Sequence, residues 1–401
     1  MHSDVYAPGT DHRHSERGGV VLIAVLTTLL AIFALVIEVN RRSRDEVASM
    51  GEISHASELR ATASSGIQIA MAILAEDGKK GGTDTVQELW ADPEALGEFL
   101  SDLSFEAGEL DLVITDELGK IQVNALVEYP GGKQFNPQQK ALWERLLLLL
   151  NRAEDEDLDG LGENVEIVNS MKDWLDFGDG DAITGLTGAE DDHYLSLDDP
   201  YPCGNGPMHH IDELSRVKGM SLELLNKSEA GYRIRDFLTV FGAEPSGNKE
   251  TSGFEDIPAK YQFPGRININ TAELPVIFSM MPETLSDLDR KIAAEAIVGF
   301  RSDKDESGFL HPLEGEWYKT CPGCENNGID PKMIRTDSSI FSIASRASDA
   351  EKEVILHCVV KRDGEKITTI GWWEGGEPPR KPGEMTLDTG LEELLNRGAF
   401  F

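Results

Sequence analysis

Val20–Ile37 runs for eighteen residues without a charged side chain. At the helical rise of ~1.5 Å per residue it spans about 27 Å, enough to cross the hydrocarbon of a bilayer. The run is longer than the apolar part of a signal peptide. It ends in Glu38-Val39-Asn40-Arg41-Arg42 rather than at a small-residue cleavage pattern. Arg41, Arg42 and Arg44 follow it, whereas only Arg13 and Arg17 stand before it. A helix whose far end is exported normally keeps its Lys/Arg excess on the cytoplasmic side. An ordinary anchor and a segment that leaves the membrane for part of its life both fit this stretch.

Helical patterning continues past the apolar run. Ala48, Ile53, Ala56, Leu59, Ala63, Ile67, Ala70, Ile73 and Leu74 recur at helical spacing, and Asp77-Gly78-Lys79-Lys80-Gly81-Gly82 ends the series. One helix of about fifty-five residues is expected, apolar at its start and amphipathic later.

The rest of the chain is strongly acidic: 72 Asp and Glu against 37 Lys and Arg, a net charge of −35 over 401 residues. Such a surface repels phosphate backbones and anionic lipid, so nucleic acid is not expected as a partner. It suits a solvated body, and its aspartate clusters suit a hard cation.

In residues 105–126 apolar and polar positions alternate at Leu110, Leu112 and Ile114. A turn at Glu117-Leu118-Gly119 leads to Ile121 and Val123, which reads as a β-hairpin against the stem. Ile340–Ala344 and Glu353–Val360 read as strands, and Lys366–Trp373 as a third after the turn at Asp363-Gly364. Residues 131–335 between these groups look helical and loop-rich, with a clear helix over Asn136–Arg152 carrying Leu142, Leu146, Leu149 and Leu150. The expected organisation is α+β. A stem (20–78) packs on a small sheet contributed by 79–130 and 336–376, a helical domain (131–335) is inserted, and a tail (377–401) carries a short helix at Leu391–Asn396. Within the insertion, Asp212–Met220 is echoed by Ala272–Met280, and both resemble helix-hairpin-helix units. The second hairpin, Met281-Pro282-Glu283-Thr284, lacks glycine and adds a carboxylate, so helix packing is the better reading than phosphate binding.

Two acidic stretches suit calcium. From Asp155 to Glu166, carboxylates at Asp155, Asp157, Asp159, Glu163 and Glu166, with Gly160 at the sixth position, follow the EF-hand spacing. The alternative is a solvated interhelical loop. Further on, Asp176, Asp179 and Asp181 lie near glycine turns, and Gly188-Ala189-Glu190-Asp191-Asp192 can complete a cage. Carboxylates this dense repel one another unless solvated or bridged by a cation.

Cys203, Cys321, Cys324 and Cys358 allow one or two disulfides in an exported body, with three connectivities open for two bonds. Cys321-Pro-Gly-Cys324 also resembles a redox or metal pair, but no second CxxC or nearby His pair completes a zinc site. No G-x-S-x-G, HExxH or Walker motif points to an enzyme, and His209-His210 reads as a surface pair.

Several of these motifs together resemble one family. Arg17-Gly18-Gly19 followed by Val20–Leu26 looks like a prepilin-peptidase site, with Ala24 where major pilins carry glutamate. Asp116, Gly119, Asn124 and Leu126 match a D-x-x-G-x-x-x-x-N-x-L strand pattern. Asp173-Trp174-Leu175-Asp176 with Gly188–Asp191 and Tyr194 matches D-W-x-D … G-A-E-D-x-x-Y, and Ile267–Ala272 matches an ININTA motif. These are similar to the minor pseudopilin K of type II secretion systems. The resemblance implies a pilin-like fold, a long N-terminal helix on a small antiparallel sheet, interrupted by a large helical domain with helix-hairpin-helix (SAM-like) units. It implies cleavage after Gly19 by prepilin peptidase and methylation of Val20. It also implies structural calcium at Asp176, Asp179, Asp181, Glu190 and Asp191, and no catalytic role. The implied place is the bacterial inner membrane, single-pass with a periplasmic body. The implied partners are the I- and J-type minor pseudopilins and other pseudopilins at the pseudopilus tip. The rival readings are a periplasmic helix-hairpin-helix protein of DNA-uptake type on a plain anchor, and an anchored exoenzyme stabilised by calcium.

Overall fold

The structure is a computed structural model. It describes residues 13–105, 108–150, 159–177, 183–226, 233–246, 261–325, 327–350 and 352–376, with the side chains of 13–18, 48, 51, 159–161 and 163 set aside. The expected tail helix at Leu391–Asn396 lies outside the described residues.

Helix α1 is continuous over Arg13–Lys80. Its first half touches nothing: Val20, Leu22, Phe33 and Ile53 are all more than half exposed. Inside the apolar span the hydroxyls of Thr27 and Thr28 donate to the Ala24 carbonyl, so these two polar side chains are satisfied without water. Packing begins at Leu59. Leu59, Ala63, Ile67, Ala70 and Leu74, spaced by three and four, form the stripe that the sheet covers. α2 (Pro93–Ser101) follows, N-capped by Asp92 through the amides of Glu94 and Ala95, and then β1 (Glu109–Asp116).

The chain next leaves the sheet. β2 (Ile121–Gln122) pairs in parallel with β3 (Leu238–Thr239). Helices α3 (Pro137–Leu150), α4 (Asp159–Leu175), α5 (Asp191–Tyr194) and α6 (Leu222–Asn226) lie between these two strands in the chain. Short ladders join β4 (Glu244–Pro245) to β5 (Tyr261–Gln262), and β6 (Ile267–Asn268) in parallel to β9 (Ile334–Arg335). α7 (Leu274–Met280) and α8 (Asp287–Ser302) precede the two-residue hairpin of β7 (Lys304–Asp305) and β8 (Gly308–Phe309). The first sequence echo is not a copy of the second: Ile211–Arg216 is a 3-10 turn before the five-residue α6, whereas Leu274–Ser302 gives two packed helices. The chain then returns as β10 (Ile340–Ser348), β11 (Glu353–Asp363) and β12 (Lys366–Glu374).

The sheet has the order β1-β10-β11-β12 and is antiparallel throughout. β1 therefore makes no hairpin with Ile121–Val123. It pairs with β10, Asp116 opposite Phe341, more than two hundred residues away in sequence. The expected turn at Glu117–Gly119 is a 3-10 turn that carries the chain out of the sheet, its first amide bonds captured by the Asp116 carboxylate. Ile121, Val123, Leu126 and Val127 belong to the core of the insertion, so that core starts earlier than residue 131. The alternation read in β1 does hold: Leu112 and Ile114 face α1, together with Phe341, Ile343, Leu356, Cys358 and Val360.

Two glycines let the stem lie flush on the sheet. A Cβ on Gly66 would stand 2.1 Å from the Ser345 hydroxyl, and one on Gly78 would stand 2.2 Å from the Gly364 carbonyl in the β11–β12 turn.

Candidate functional site

Three features stand out: the uncovered stem, a buried acid cluster and a polar joint. Gly19 and Val20, the expected processing pair, lie on α1 where nothing crowds them; no atom lies within 4 Å of a Cβ built on Gly19, and Val20 is 69% exposed. Among the described residues α1 is one helix long and apolar enough to cross a membrane.

The acid cluster brings together Asp173, Asp176 and Glu190, all buried, with carboxylate oxygens within 4.8 Å of one another. α4 supplies the two aspartates at i and i+3, on one helix face. The Asp173 carboxylate accepts from the amides of Thr184 and Ala189, which ties the loop before α5 to α4. Gly188 makes room for it, since a Cβ there would lie 2.1 Å from Asp173 Oδ2. Burial holds the Asp173 carboxyl above the usual carboxylate range despite these donors. Lys172 pairs with Asp176 and stands 3.8 Å from Asp173. Trp174 packs edge-on against Tyr194 and Tyr201 and closes the apolar side.

Of the five expected ligands, Asp176 and Glu190 are in this cluster. Asp191 is directed elsewhere: its Oδ1 accepts from the Cys203 amide at 2.7 Å. Asp179 and Asp181 lie outside the described residues. Asp173 was not among the expected ligands, although the D-W-x-D spacing places it one helical turn before Asp176. Of the EF-hand stretch 155–166, the described part is helical. α4 begins at Asp159, so the backbone from Asp159 to Glu166 is helical and not the loop that EF-hand spacing needs. Glu166 pairs with Lys218 at 3.0 Å; Asp155 and Asp157 lie outside the described residues. Cys321 and Cys324 form a disulfide, which accounts for the CxxC pair, while Cys203 and Cys358 are buried free thiols.

The joint lies where the insertion leaves and rejoins the sheet. Asp116 Oδ2 accepts from Asn268 Nδ2 (2.9 Å), Thr271 Oγ1 (2.6 Å) and Ser338 Oγ (2.6 Å), and Oδ1 accepts from the Leu118 amide (2.7 Å). Burial raises the Asp116 pKa, and these donors oppose the shift. Gly119 is required beside it, because a Cβ would meet Thr271 Oγ1 at 2.6 Å. The ININTA segment supplies the other half: Asn268 and Asn270 donate to the Asp84 carbonyl, and Trp317 Nε1 donates to Asn270 Oδ1. Arg301 from α8 donates to the carbonyls of Ile269 and Ala272. Asn124 bonds the backbone of Met208 and Val240. The motif residues thus do structural work, fastening the insertion to the sheet.

A family model described as type II secretion system (T2SS), protein K matches residues 119–230, the stretch that holds the acid cluster. The type II secretion system protein K of Pseudomonas aeruginosa is 28% identical over 371 residues, covering 90% of this chain and 95% of that protein. The chain is thus similar to type II secretion system protein K along nearly its whole length. The protein K of Aeromonas hydrophila is 25% identical over 213 residues, covering 52% of this chain and 61% of its own length. The fold matches a chain in the crystal structure of the GspK-GspI-GspJ complex from enterotoxigenic Escherichia coli. The TM-score is 0.55 at 16% identity, over 82% of this chain and 99% of that one. The fold of this chain, a long N-terminal helix on a small antiparallel sheet with a large insertion, is therefore similar to that of the matched chain.

Proposed function

We propose that this chain is the minor pseudopilin that starts and caps a type II secretion pseudopilus, joined there by I- and J-type minor pseudopilins. The observation that carries the reading is the stem. Among the described residues the large apolar side chains of α1 from Val20 to Ile53 are exposed, and the chain's own sheet covers the helix from Leu59 onward. A helix apolar all round needs lipid or other helices about it. In the membrane the first need is met. In a filament, sibling stems meet the second, and packing among them offsets extraction from lipid. Cleavage after Gly19 would leave Val20 as the new N-terminus, and both residues lie where no other part of the described chain covers them. Ala24 in place of glutamate leaves no carboxylate to pair with a neighbour's terminal amine, as a subunit with nothing stacked above it would require. The place is the inner membrane, with the body in the periplasm. The role is structural rather than catalytic.

Calcium is part of this reading. Asp173, Asp176 and Glu190 would hold it, and the all-oxygen donor set suits a hard cation. Bound there, the ion would add positive charge to three buried carboxylates that Lys172 approaches. By the same charge logic, Lys172 must move off Asp176 when the ion enters. The ion's work would be to fix the loop over 183–190 against α4, with no catalytic water.

The test is co-expression of the full chain with I- and J-type pseudopilins and active prepilin peptidase. The expected result is a mature chain beginning at Val20 that co-purifies with both partners. A chain that keeps residues 1–19 and binds neither would end the proposal.

A further inference from the structure

Where the stem meets the head, three carboxylates from two segments converge. Asp77 lies in the last turn of α1, and Asp84 and Glu88 lie in the connection to α2. Their oxygens are within 4.8 Å of one another. One cation, Arg362 of β11, is paired with the group: it bonds Asp77 at 2.7 Å and also reaches Asp84. Among the described residues the donors to Glu88 are neutral, Trp90 Nε1 at 2.6 Å and the Thr85 amide at 3.2 Å. The buried Asp116 carboxylate stands behind Asp84 and adds negative charge. Other charges on the neighbouring elements are engaged elsewhere. Glu76 pairs with Lys79 on the exposed side of the stem, Lys80 is exposed at its end, and Arg335 pairs with Asp337. Three carboxylates sharing one guanidinium leave the group with excess negative charge in a partly dry site, a situation that favours protonation of one member.

We propose that Asp84 and Glu88, pressed together beside the Asp77 carboxylate, hold one proton in common near neutral pH, and that its loss loosens the seat of the head on the stem. Charge and burial agree on where that proton sits. Burial first, and then the charge of Asp77, lifts Glu88 to about 7; burial lifts Asp84 to about 6. A carboxyl raised in the folded state stabilises the fold fully below its unfolded pKa, and that stabilisation fades as pH rises through the folded value. The window is therefore from the ordinary glutamate range up to about 7. What the proton protects is specific. Asp84 fastens the connection to the joint through its amide to the Thr336 carbonyl, its carboxylate to the Ser338 amide, and its carbonyl to Asn268 and Asn270. Glu88 holds Trp90, which packs edge-on against Phe341 in the core between stem and sheet. Repulsion at Glu88 thus acts on both the joint and that core.

Trp90 also provides the reporter. The full chain, labelled with fluorotryptophan and held in detergent micelles, is titrated by fluorine NMR, with Trp90→Phe assigning the resonance. The Trp90 signal should titrate with a midpoint near 7 and lose that transition in Glu88→Gln. Asp77→Asn, which removes the repelling neighbour, should move the midpoint down. Thermal unfolding should show Glu88→Gln gaining on the parent as pH rises, with an unfolding constant at least about tenfold lower near pH 8. A Trp90 midpoint in the ordinary glutamate range overturns the proposal, as does a midpoint that Asp77→Asn leaves in place. Should Glu88→Gln fail to fold, the Asp77→Asn shift alone decides between the two.

Discussion

Asn268→Ala is the sharpest test of the joint. The Asn268 amide donates to Asp116 Oδ2, the Asp84 carbonyl and Ser338 Oγ, and its oxygen accepts from the Asn270 amide; the residue is wholly buried. Truncation leaves two groups short. The Asp116 carboxylate loses a charge-assisted bond, worth about 1.5–3 kcal/mol, and the Asn270 amide loses its acceptor at about 1–3 kcal/mol. The Asp84 carbonyl keeps Asn270 Nδ2, and Ser338 Oγ keeps Asp116, so these two add little. The expected loss is therefore about 4 kcal/mol, a large part of the ~5–15 kcal/mol that holds a typical protein folded. Urea unfolding of the full chain in detergent, followed by tryptophan fluorescence, gives the number. The same variant should become cleavable between sheet and insertion at protease levels that spare the parent. A loss below about 1 kcal/mol would mean that water or rearranged donors replace the asparagine, and the joint would then not be the fastening described here.

Gly78→Ala sets two effects against each other: alanine favours a helix by about 1 kcal/mol, but its Cβ would sit 2.2 Å from the Gly364 carbonyl. Backbone cannot yield as a side-chain tip can, so a net loss of about 2 kcal/mol is expected in thermal unfolding, and a net gain would refute the close approach. Lys172→Met should tighten calcium binding by about tenfold in calorimetry, because the ammonium no longer competes for Asp176, while Asp173→Asn should weaken it; weaker binding by Lys172→Met would count against the site. Enlarging Gly19 to valine should stop processing in cells with active peptidase, and continued trimming to Val20 would contradict the assignment.

Much of the fold could be read from the residues, because periodicity reports faces. The stem stripe from Leu59 to Leu74 and the strands β10 to β12 lie where the patterns place them. Pairing was not legible. Leu110, Leu112 and Ile114 say which side of β1 is dry, but nothing local says that Asp116 lies opposite Phe341. The misread hairpin has a specific cause. Glu117-Leu118-Gly119 carries turn residues, yet the Asp116 side chain captures the Leu118 amide and sends the chain into the insertion. At the acid cluster, counting carboxylates near glycines found Asp176 and Glu190 but passed over Asp173. The helical spacing of three to Asp176 was the signal available for it. The helical start at Asp159 was hidden because its letters also fit EF-hand spacing.

The insertion departs beside Asp116 and comes back at Ile340, on adjacent strands at a single corner of the sheet. Both crossings therefore pass through one narrow hinge point, and the rod and sheet form a closed unit without the lobe. Such wiring lets evolution enlarge, trim or exchange the lobe as a cassette while the rod keeps its place among its neighbours. A push delivered along the rod reaches the lobe through that corner and through a second set of bonds beside it, Gln87 to the Arg301 and His311 carbonyls and Lys304 to Asp92 and Glu94, so these few polar side chains share the load with the corner's asparagines and aspartates.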